Sequence, residues 1–189
     1  MIKIGILGDI GSGKSFVSKQ FGLPIFNADK EVKKIYKKNK KCFKKLKKQF
    51  PNCEISFPIR KKQISMLIEK NVNSVKRINK IVHPEVNRNL KKFIKKHIKK
   101  KLVILDIPLL LEGKVNSLVD VLIFIKTKKK DVKKRLKKRP NFKKEVYEKL
   151  KKLQLPLEFK NKKSHFIIKN DFKKQSVKNE IKNILKKIL

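Results

Sequence analysis

The chain has 189 residues, enough for one domain with an insert, and its apolar fraction of 39% is sufficient for a buried core. Asp106 and Pro108 interrupt the most apolar window, which argues against a membrane span, and the first apolar run is too short for a signal peptide. The two cysteines, Cys42 and Cys53, lack the spacing of a metal site, and a reducing compartment fits them best. We therefore expect a folded cytoplasmic protein without membrane insertion.

The net charge of +40 has two explanations. One is binding to nucleic acid or to an anionic membrane surface. The other is coding bias, because fifty of the 55 basic residues are Lys, Ala28 is the single alanine, and Lys, Asn, Ile and Phe share A/T-rich codons. We favour coding bias and expect no specific nucleic-acid partner, although weak, salt-dependent adhesion to polyanions follows from the charge alone.

The N-terminal segment predicts a strand, a glycine-rich loop and a helix in succession. The apolar run 2–7 precedes GDIGSGKS at 8–15, which fits the phosphate-binding pattern G-x-x-x-x-G-K-[ST], and residues 15–21 can begin a helix. Backbone N–H groups of such a loop converge on phosphate, while its lysine adds a charge and its serine a hydroxyl for Mg²⁺. The residues expected to hold ATP are Gly11, Ser12, Gly13, Lys14, Ser15 and Phe16, with Ser15 as the metal ligand.

A second short strand is predicted over residues 23–27, and a Lys-rich helical insert follows it over 30–100. Apolar residues recur in the insert at helical spacing. The pair His83-Pro84 is expected to interrupt a helix there, because proline lacks the N–H that a helix interior needs. The predicted helices cover residues 30–50, 60–70, 73–82 and 84–99.

The second half of the chain returns to alternating strands and helices. Strands are predicted over 102–107, 119–126 and 164–169, and helices over 130–138, 142–154 and 172–189. Five strands alternating with helices favour an α/β fold with a parallel sheet flanked by helices, whose ligands gather at the carboxyl edge. We expect a single domain over 1–189, with a core of 1–29, 101–126 and 154–189, the insert 30–100 and a lid over 127–153.

Several short motifs in order give the chain a family resemblance. They are GDIGSGKS, the triplet Asn27-Ala28-Asp29, His83-Pro84, DIPLLLE from Asp106 to Glu112, RLKKR from Arg135 to Arg139, Gln154, and IIKN ending at Asn170. In this order the chain resembles dephospho-CoA kinases, which have a P-loop NTPase fold of the nucleoside-monophosphate-kinase type. The resemblance implies ATP- and Mg²⁺-dependent phosphorylation of the 3′-hydroxyl of dephospho-CoA, the last step of coenzyme A synthesis.

Two carboxylates receive roles from this resemblance. Asp29 becomes the candidate general base for the attacking hydroxyl, with capping of a helix from Lys30 as its alternative. Asp106, at the end of the central strand, becomes a candidate for the metal shell or the acceptor, with capping of the next turn as its alternative. The catalytic set is then Asp29, Lys14 and Arg139.

The remaining motifs are expected to line the acceptor and ATP sites. His83 and Pro84 lie along the acceptor cleft by resemblance, although a proline can also simply start a helix. Arg135 and Arg139 are four apart, so one helical face can present both to the ATP phosphates; the alternative is two solvated charges. Asn170 is the candidate for the adenine edge, with an ordinary turn as its alternative. The predicted acceptor-binding residues are Asp29, His83, Pro84, Asp106, Pro108, Leu109, Leu110 and Glu112.

Three positions depart from the family pattern. Asn27 stands where the family usually has the first Asp of its D-A-D triplet, Asp9 stands where its loop usually has a second glycine, and Asp171 replaces a frequent Gly.

Other functions also remain open. They are phosphorylation of a nucleoside monophosphate or another small molecule, or nucleic-acid binding with incidental use of ATP. A monomer is expected.

Overall fold

The computed structural model describes residues 1–71, 73–107, 118–138 and 142–189. Within them, a five-stranded sheet has the order β2-β3-β1-β4-β5, and every neighbouring pair is parallel. This confirms the predicted α/β fold with a five-stranded parallel sheet. The strands are β1 (Ile2–Gly8), β2 (Ile25–Asn27), β3 (Leu102–Asp106), β4 (Val121–Lys126) and β5 (Phe166–Lys169).

The helices found in the described residues account for most of the remaining chain. They are α1 (Lys14–Gln20), α2 (Ala28–Lys38), α3 (Lys40–Gln49), α4 (Lys61–Lys70), α5 (Asn73–Lys96), α6 (Lys129–Lys137), α7 (Lys144–Lys152), α8 (Leu157–Lys162) and α9 (Lys174–Ile188). None of them is both long enough and apolar enough to cross a membrane.

The chain divides into two compact units. The first consists of Met1–Asn27, His97–Phe142 and Lys151–Leu189, and the second of Ala28–Lys96 and Lys143–Leu150. The segment predicted as a lid, 127–153, contributes residues to both. The assignment of a single domain with core, insert and lid remains a prediction.

The sheet of the first unit is covered on both faces. β3 is buried along its whole length, as a central parallel strand must be when helices pack on both sides. On one face, Val17 of α1 and Val177 and Ile181 of α9 pack against the strands. On the other face a smaller cluster includes Leu157 of α8. This burial fixes the carboxyl ends of β1, β2 and β3 at a common edge.

The second unit is a group of helices whose apolar faces meet. Asn39 separates α2 from α3, because its side-chain oxygen accepts a hydrogen bond from the N–H of Cys42 at 2.9 Å and caps α3. The single helical run predicted over 30–50 is therefore two helices. In the same unit, Lys149 of α7 donates to the carbonyl of Ile68 in the last turn of α4 at 3.3 Å.

One sequence prediction is wrong in the second unit, and one helix of the first unit was missed. His83-Pro84 does not interrupt a helix, since α5 continues through Pro84. Both Pro84 and Lys80 are exposed, so the carbonyl that loses its helical partner can be hydrated instead. The helix α8 was not predicted, because six residues are too few to establish a periodic pattern.

Candidate active site

The glycine-rich loop connects β1 to α1 and needs its glycines for two reasons. Gly11 and Gly13 have φ of 89° and 85°, a left-handed conformation that other residues rarely adopt. A Cβ atom at Gly13 would also lie only 2.6 Å from the ring of Phe172. Glycine at these positions therefore allows the loop to pack closely. It also allows a left-handed backbone, which side chains disfavour, and this backbone sets the direction of the N–H groups.

Lys14 lies across its own loop. Its ammonium group donates to the carbonyl oxygens of Gly8 at 3.2 Å and Asp9 at 2.8 Å. The carboxylate of Asp9 accepts from the N–H of Ile10 at 2.7 Å. Asp9, which departs from the family pattern, therefore accepts a hydrogen bond from a backbone N–H of the loop itself.

Ser12 anchors the loop to the ends of two distant strands. Its carbonyl oxygen accepts from the hydroxyl of Thr127, which follows β4, at 2.9 Å. The same oxygen accepts from the amide of Asn170, which follows β5, at 2.8 Å. The Ser12 hydroxyl is buried and has no hydrogen-bond partner among the described residues. It is an orphaned donor within a loop suited to an anion.

Three polar side chains meet where the loop joins the carboxyl edge of the sheet. The Ser15 hydroxyl donates to Oδ2 of Asp106 at 2.6 Å, and the Asn27 amide donates to the same oxygen at 2.6 Å. The Asn27 amide is also 3.3 Å from the Ser15 hydroxyl oxygen. Asn27 and Asp106 are register partners at the ends of β2 and β3, so their side chains share one face of the sheet.

These residues fit a magnesium ion carried by a nucleotide. Mg²⁺ prefers oxygen ligands and usually takes only one or two from the protein, with water and phosphate completing its shell. Ser15 and Asp106 provide a hydroxyl and a carboxylate in contact. Among the described residues there is no group of three or more His, Cys, Asp or Glu side chains that could hold a metal.

Asn170 braces the loop from the opposite side. It is only 4% exposed, and its side-chain oxygen accepts from the N–H of Phe172 at 3.0 Å while its amide holds Ser12. Both ends of the side chain are thus engaged within the protein. Its contact with adenine stays a prediction, and no sequence pattern indicated that Asn170 braces the loop.

An aromatic and cationic group lies beside the first turn of α1. The guanidinium of Arg135 in α6 stacks over the Phe172 ring with 4.1 Å to the centroid, and the Phe16 ring is 6.0 Å away from that ring. Phe172 has a φ of 65°, unusual for a residue with a side chain. The structure therefore places Arg135 and Phe16 next to the loop, and adds Phe172 to them.

The predicted acceptor residues of the second unit are exposed. Asp29 lies in the first turn of α2, which begins at Ala28 rather than Lys30, so Asp29 is inside the helix and not the residue that precedes it. His83 and Pro84 lie on α5, and desolvation by neighbouring atoms lowers the pKa of the exposed His83 below its ordinary value. A neutral imidazole at pH 7 follows.

Several predicted site residues lie outside the described residues. They are Pro108, Leu109, Leu110, Glu112 and Arg139. Two residues that contact the loop or its neighbours were missed. Phe172 gave no sequence signal, whereas Thr127 directly follows a predicted strand at the sheet edge where ligands gather, and this position could have singled it out.

The known proteins to which this chain is similar match it over nearly its whole length. The family model described as "Dephospho-CoA kinase" matches residues 2–176. A protein of Bacillus thuringiensis subsp. konkukian named dephospho-CoA kinase is 33% identical over 195 residues, covering 98% of this chain and 96% of that protein.

Solved structures give the same picture of the fold. A crystal structure of a Thermus thermophilus protein superposes with a TM-score of 0.80 at 26% identity, covering 100% of this chain and 98% of that one. Dephospho-CoA kinase from Campylobacter jejuni superposes with a TM-score of 0.64 at 23% identity, covering 98% and 96%, and at that identity supports the fold alone. With the family model spanning 2–176 and a phosphate-binding loop at its start, the chain belongs to the dephospho-CoA kinase family.

Proposed function

We propose that this protein transfers the γ-phosphoryl group of ATP to the 3′-hydroxyl of dephospho-CoA, giving coenzyme A and ADP. The observation that carries the proposal is the contact between Ser15 and Asp106 beside an intact phosphate-binding loop, in a chain of this family. Phosphoryl transfer needs little covalent help from a protein, because positioning and charge stabilisation account for most of the catalysis.

ATP is held by its phosphates in the loop from Gly11 to Ser15. The N–H groups there and the start of α1 stabilise the phosphate charge, and Lys14 exchanges its loop carbonyls for phosphate oxygens. Ser15 and Asp106 would hold Mg²⁺, which would neutralise charge on the phosphates when bound. Because the Ser15 hydroxyl donates a hydrogen bond to Asp106, a lone pair on its oxygen would be available to Mg²⁺.

The base and sugar of ATP extend from the loop toward Phe16, Arg135 and Asn170. The stacked pair of Arg135 and Phe172 supports this direction, since a planar cation on an aromatic ring beside the loop forms a flat surface. Arg139 would add a second planar cation at the phosphates four residues further along. These contacts, and the catalytic role of Arg139, are part of the proposal.

The residues proposed to bind the acceptor are those that the family motifs single out. Asp29 accepts the proton of the 3′-hydroxyl as that oxygen attacks phosphorus, a role for which its exposure is favourable because the substrate must reach it. The residues proposed to contact dephospho-CoA are Asp29, His83, Pro84, Asp106, Pro108, Leu109, Leu110 and Glu112. His83 is proposed to contact the acceptor and not to act as the base; desolvation lowers the pKa of its imidazole below the ordinary value.

The protein acts in the cytoplasm as a monomer, without a specific nucleic-acid partner. A formal charge of +40 makes it adhere to polyanions at low salt, and such adhesion weakens steeply as salt is added. Binding to RNA or DNA that depends on sequence and survives moderate salt would contradict this part of the proposal.

A coupled kinase assay tests the function directly. The purified protein with ATP and Mg²⁺ is offered dephospho-CoA, AMP, UMP and shikimate in parallel, and we expect turnover of dephospho-CoA. Lys14→Ala should lose most of the activity, because the phosphates lose the charged side chain of the loop. Lys19→Ala, an exposed lysine on the same helix, serves as the matched control and should keep it. Preferred phosphorylation of AMP or UMP, or no turnover by folded protein, would overturn the proposal.

A further inference from the structure

Asn27 occupies a place in the site where its chemistry can change how metal binds. It ends β2, and its register partner in β3 is Asp106. Its amide nitrogen lies 2.6 Å from the Asp106 oxygen that also accepts from Ser15. Asp106 is 2% exposed, so these two donors replace water at that oxygen.

An amide and a carboxylate at position 27 would have opposite effects on the electrostatics around Asp106. The amide donates and leaves the group of three with one negative charge. A carboxylate has nearly the same shape but only accepts, and would put a second anionic oxygen in contact with Asp106. Two like charges at such a distance repel unless a cation lies between them. The identity of residue 27 therefore decides whether the folded protein needs a cation there.

We propose that Asn27 is a positioning residue that makes metal binding conditional on the nucleotide. By holding Oδ2 of Asp106, it keeps the carboxylate in place without metal, so the protein offers one carboxylate and one hydroxyl. Mg²⁺ dehydrates reluctantly and is poorly held by so few anionic ligands, so it enters only with the triphosphate. The inference rests on the proposed ATP site but does not require dephospho-CoA as the acceptor.

Calorimetric titration of the full chain with Mn²⁺ or Mg²⁺, in the absence of nucleotide, tests the inference. We expect no saturable binding to the natural protein in the millimolar range. Asn27→Asp should bind Mn²⁺ at least about tenfold more tightly, because a second carboxylate joins the first. Asn52→Asp, which adds the same charge at an exposed turn, should leave Mn²⁺ binding unchanged.

Thermal unfolding separates positioning from a purely structural role. Without metal, both Asn27→Asp and Asn27→Ala should melt below the natural protein. Mn²⁺ alone should raise the melting temperature of Asn27→Asp, but not that of Asn27→Ala or of the natural protein. The double variant that combines Asn27→Asp with Asp106→Asn exchanges the amide and the carboxylate. It should regain both the natural melting temperature and the weak metal binding.

The exchange variant also keeps the test decisive if Asn27→Asp does not fold. Metal binding by the natural protein as tight as that of Asn27→Asp would overturn the inference, as would equal stabilisation of all variants by Mn²⁺. A failed kinase assay with the expected titration pattern would remove the proposed acceptor and leave the role of Asn27 standing.

Discussion

The phosphate-binding loop of the first unit and the helical residues proposed for the acceptor in the second unit are built differently. Around the loop, Ser12, Ser15 and Asn170 are fixed by hydrogen bonds of 2.6 to 2.9 Å to residues far away in the chain. In the second unit, Asp29 and His83 lie on helices and are exposed. The side chains around the loop are held in place by other parts of the protein, whereas those on the helices of the second unit are open to solvent. Substitutions in the two regions should therefore fail in different ways.

The largest effect is expected at Asp29. Asp29→Asn keeps the shape of the side chain and removes the base, so kcat with dephospho-CoA should fall by roughly 10²- to 10⁴-fold. The melting temperature should hardly change, because the residue is exposed and lies in the first turn of α2. Steady-state kinetics beside a thermal melt checks both. A large loss of stability would assign Asp29 to the fold instead.

The reverse pattern is expected at Asn170. Asn170→Ala leaves the Asn170 contacts with the Ser12 carbonyl and the Phe172 N–H unmade in a buried place, and should lower the free energy of unfolding by about 3 kcal/mol. Urea denaturation measures this. Asn179→Ala, at an exposed position of α9, is the matched control and should stay within about 0.5 kcal/mol of the natural protein. If the two variants unfold alike, the bracing of the loop is unimportant.

Substitution of Arg135 should change the KM for ATP alone. Arg135→Lys keeps the charge but loses the planar group stacked on Phe172, and a contact of about 1 kcal/mol corresponds to a rise of about fivefold in KM for ATP. The KM for dephospho-CoA should not change. Lys134→Ala, the exposed neighbour on α6, should leave both KM values as they are. A changed KM for dephospho-CoA would place Arg135 at the acceptor instead.

The smallest effect concerns pH. Desolvation lowers the pKa of His83 below 6.5, so the unfolded chain binds a proton at a higher pH than the folded protein does. The stability that the neutral imidazole contributes is therefore present above about pH 6.5 and is lost as pH falls toward the folded pKa. In thermal melts between about pH 8 and pH 5, the natural protein should lose stability relative to His83→Gln. A relative gain by the natural protein at low pH would contradict this.

The two regions also differ in how much of them the sequence could reveal. The loop is predictable because eight adjacent residues carry its chemistry, and β3 because an unbroken apolar run is typical of a buried parallel strand. The position of Asp106 at the end of β3 follows directly. Both predictions rest on residues that are neighbours in the chain, and such neighbours can be read directly from the sequence.

Pairings between distant residues are beyond such patterns. Asn170 and Ser12 are 158 positions apart, and no pattern in either segment indicates that they form a hydrogen bond. The contact arises from the order of strands, which brings the end of β5 near the loop after β1. Asn27 stands out in the sequence as a departure from the family, but its hydrogen bond to Asp106 depends on the register of β2 against β3.

The helix α5 shows the opposite error, in which a strong local rule did not hold. Proline usually ends or kinks a helix, yet Pro84 lies inside one of 24 residues. The buried residues Ile78, Val82, Val86 and Leu90 occur at helical spacing on both sides of it. Their packing outweighs the loss of one backbone hydrogen bond at an exposed site, and it keeps His83 and Pro84 on a continuous helix.

The contact of Lys14 with the carbonyls of Gly8 and Asp9 has a consequence for the speed of the enzyme. The ammonium group has protein oxygens in place of part of its water. When Lys14 binds ATP as proposed, phosphate oxygens would replace those partners, and little solvent would have to reorder around the charge. The two carbonyls would take the lysine back when the product leaves.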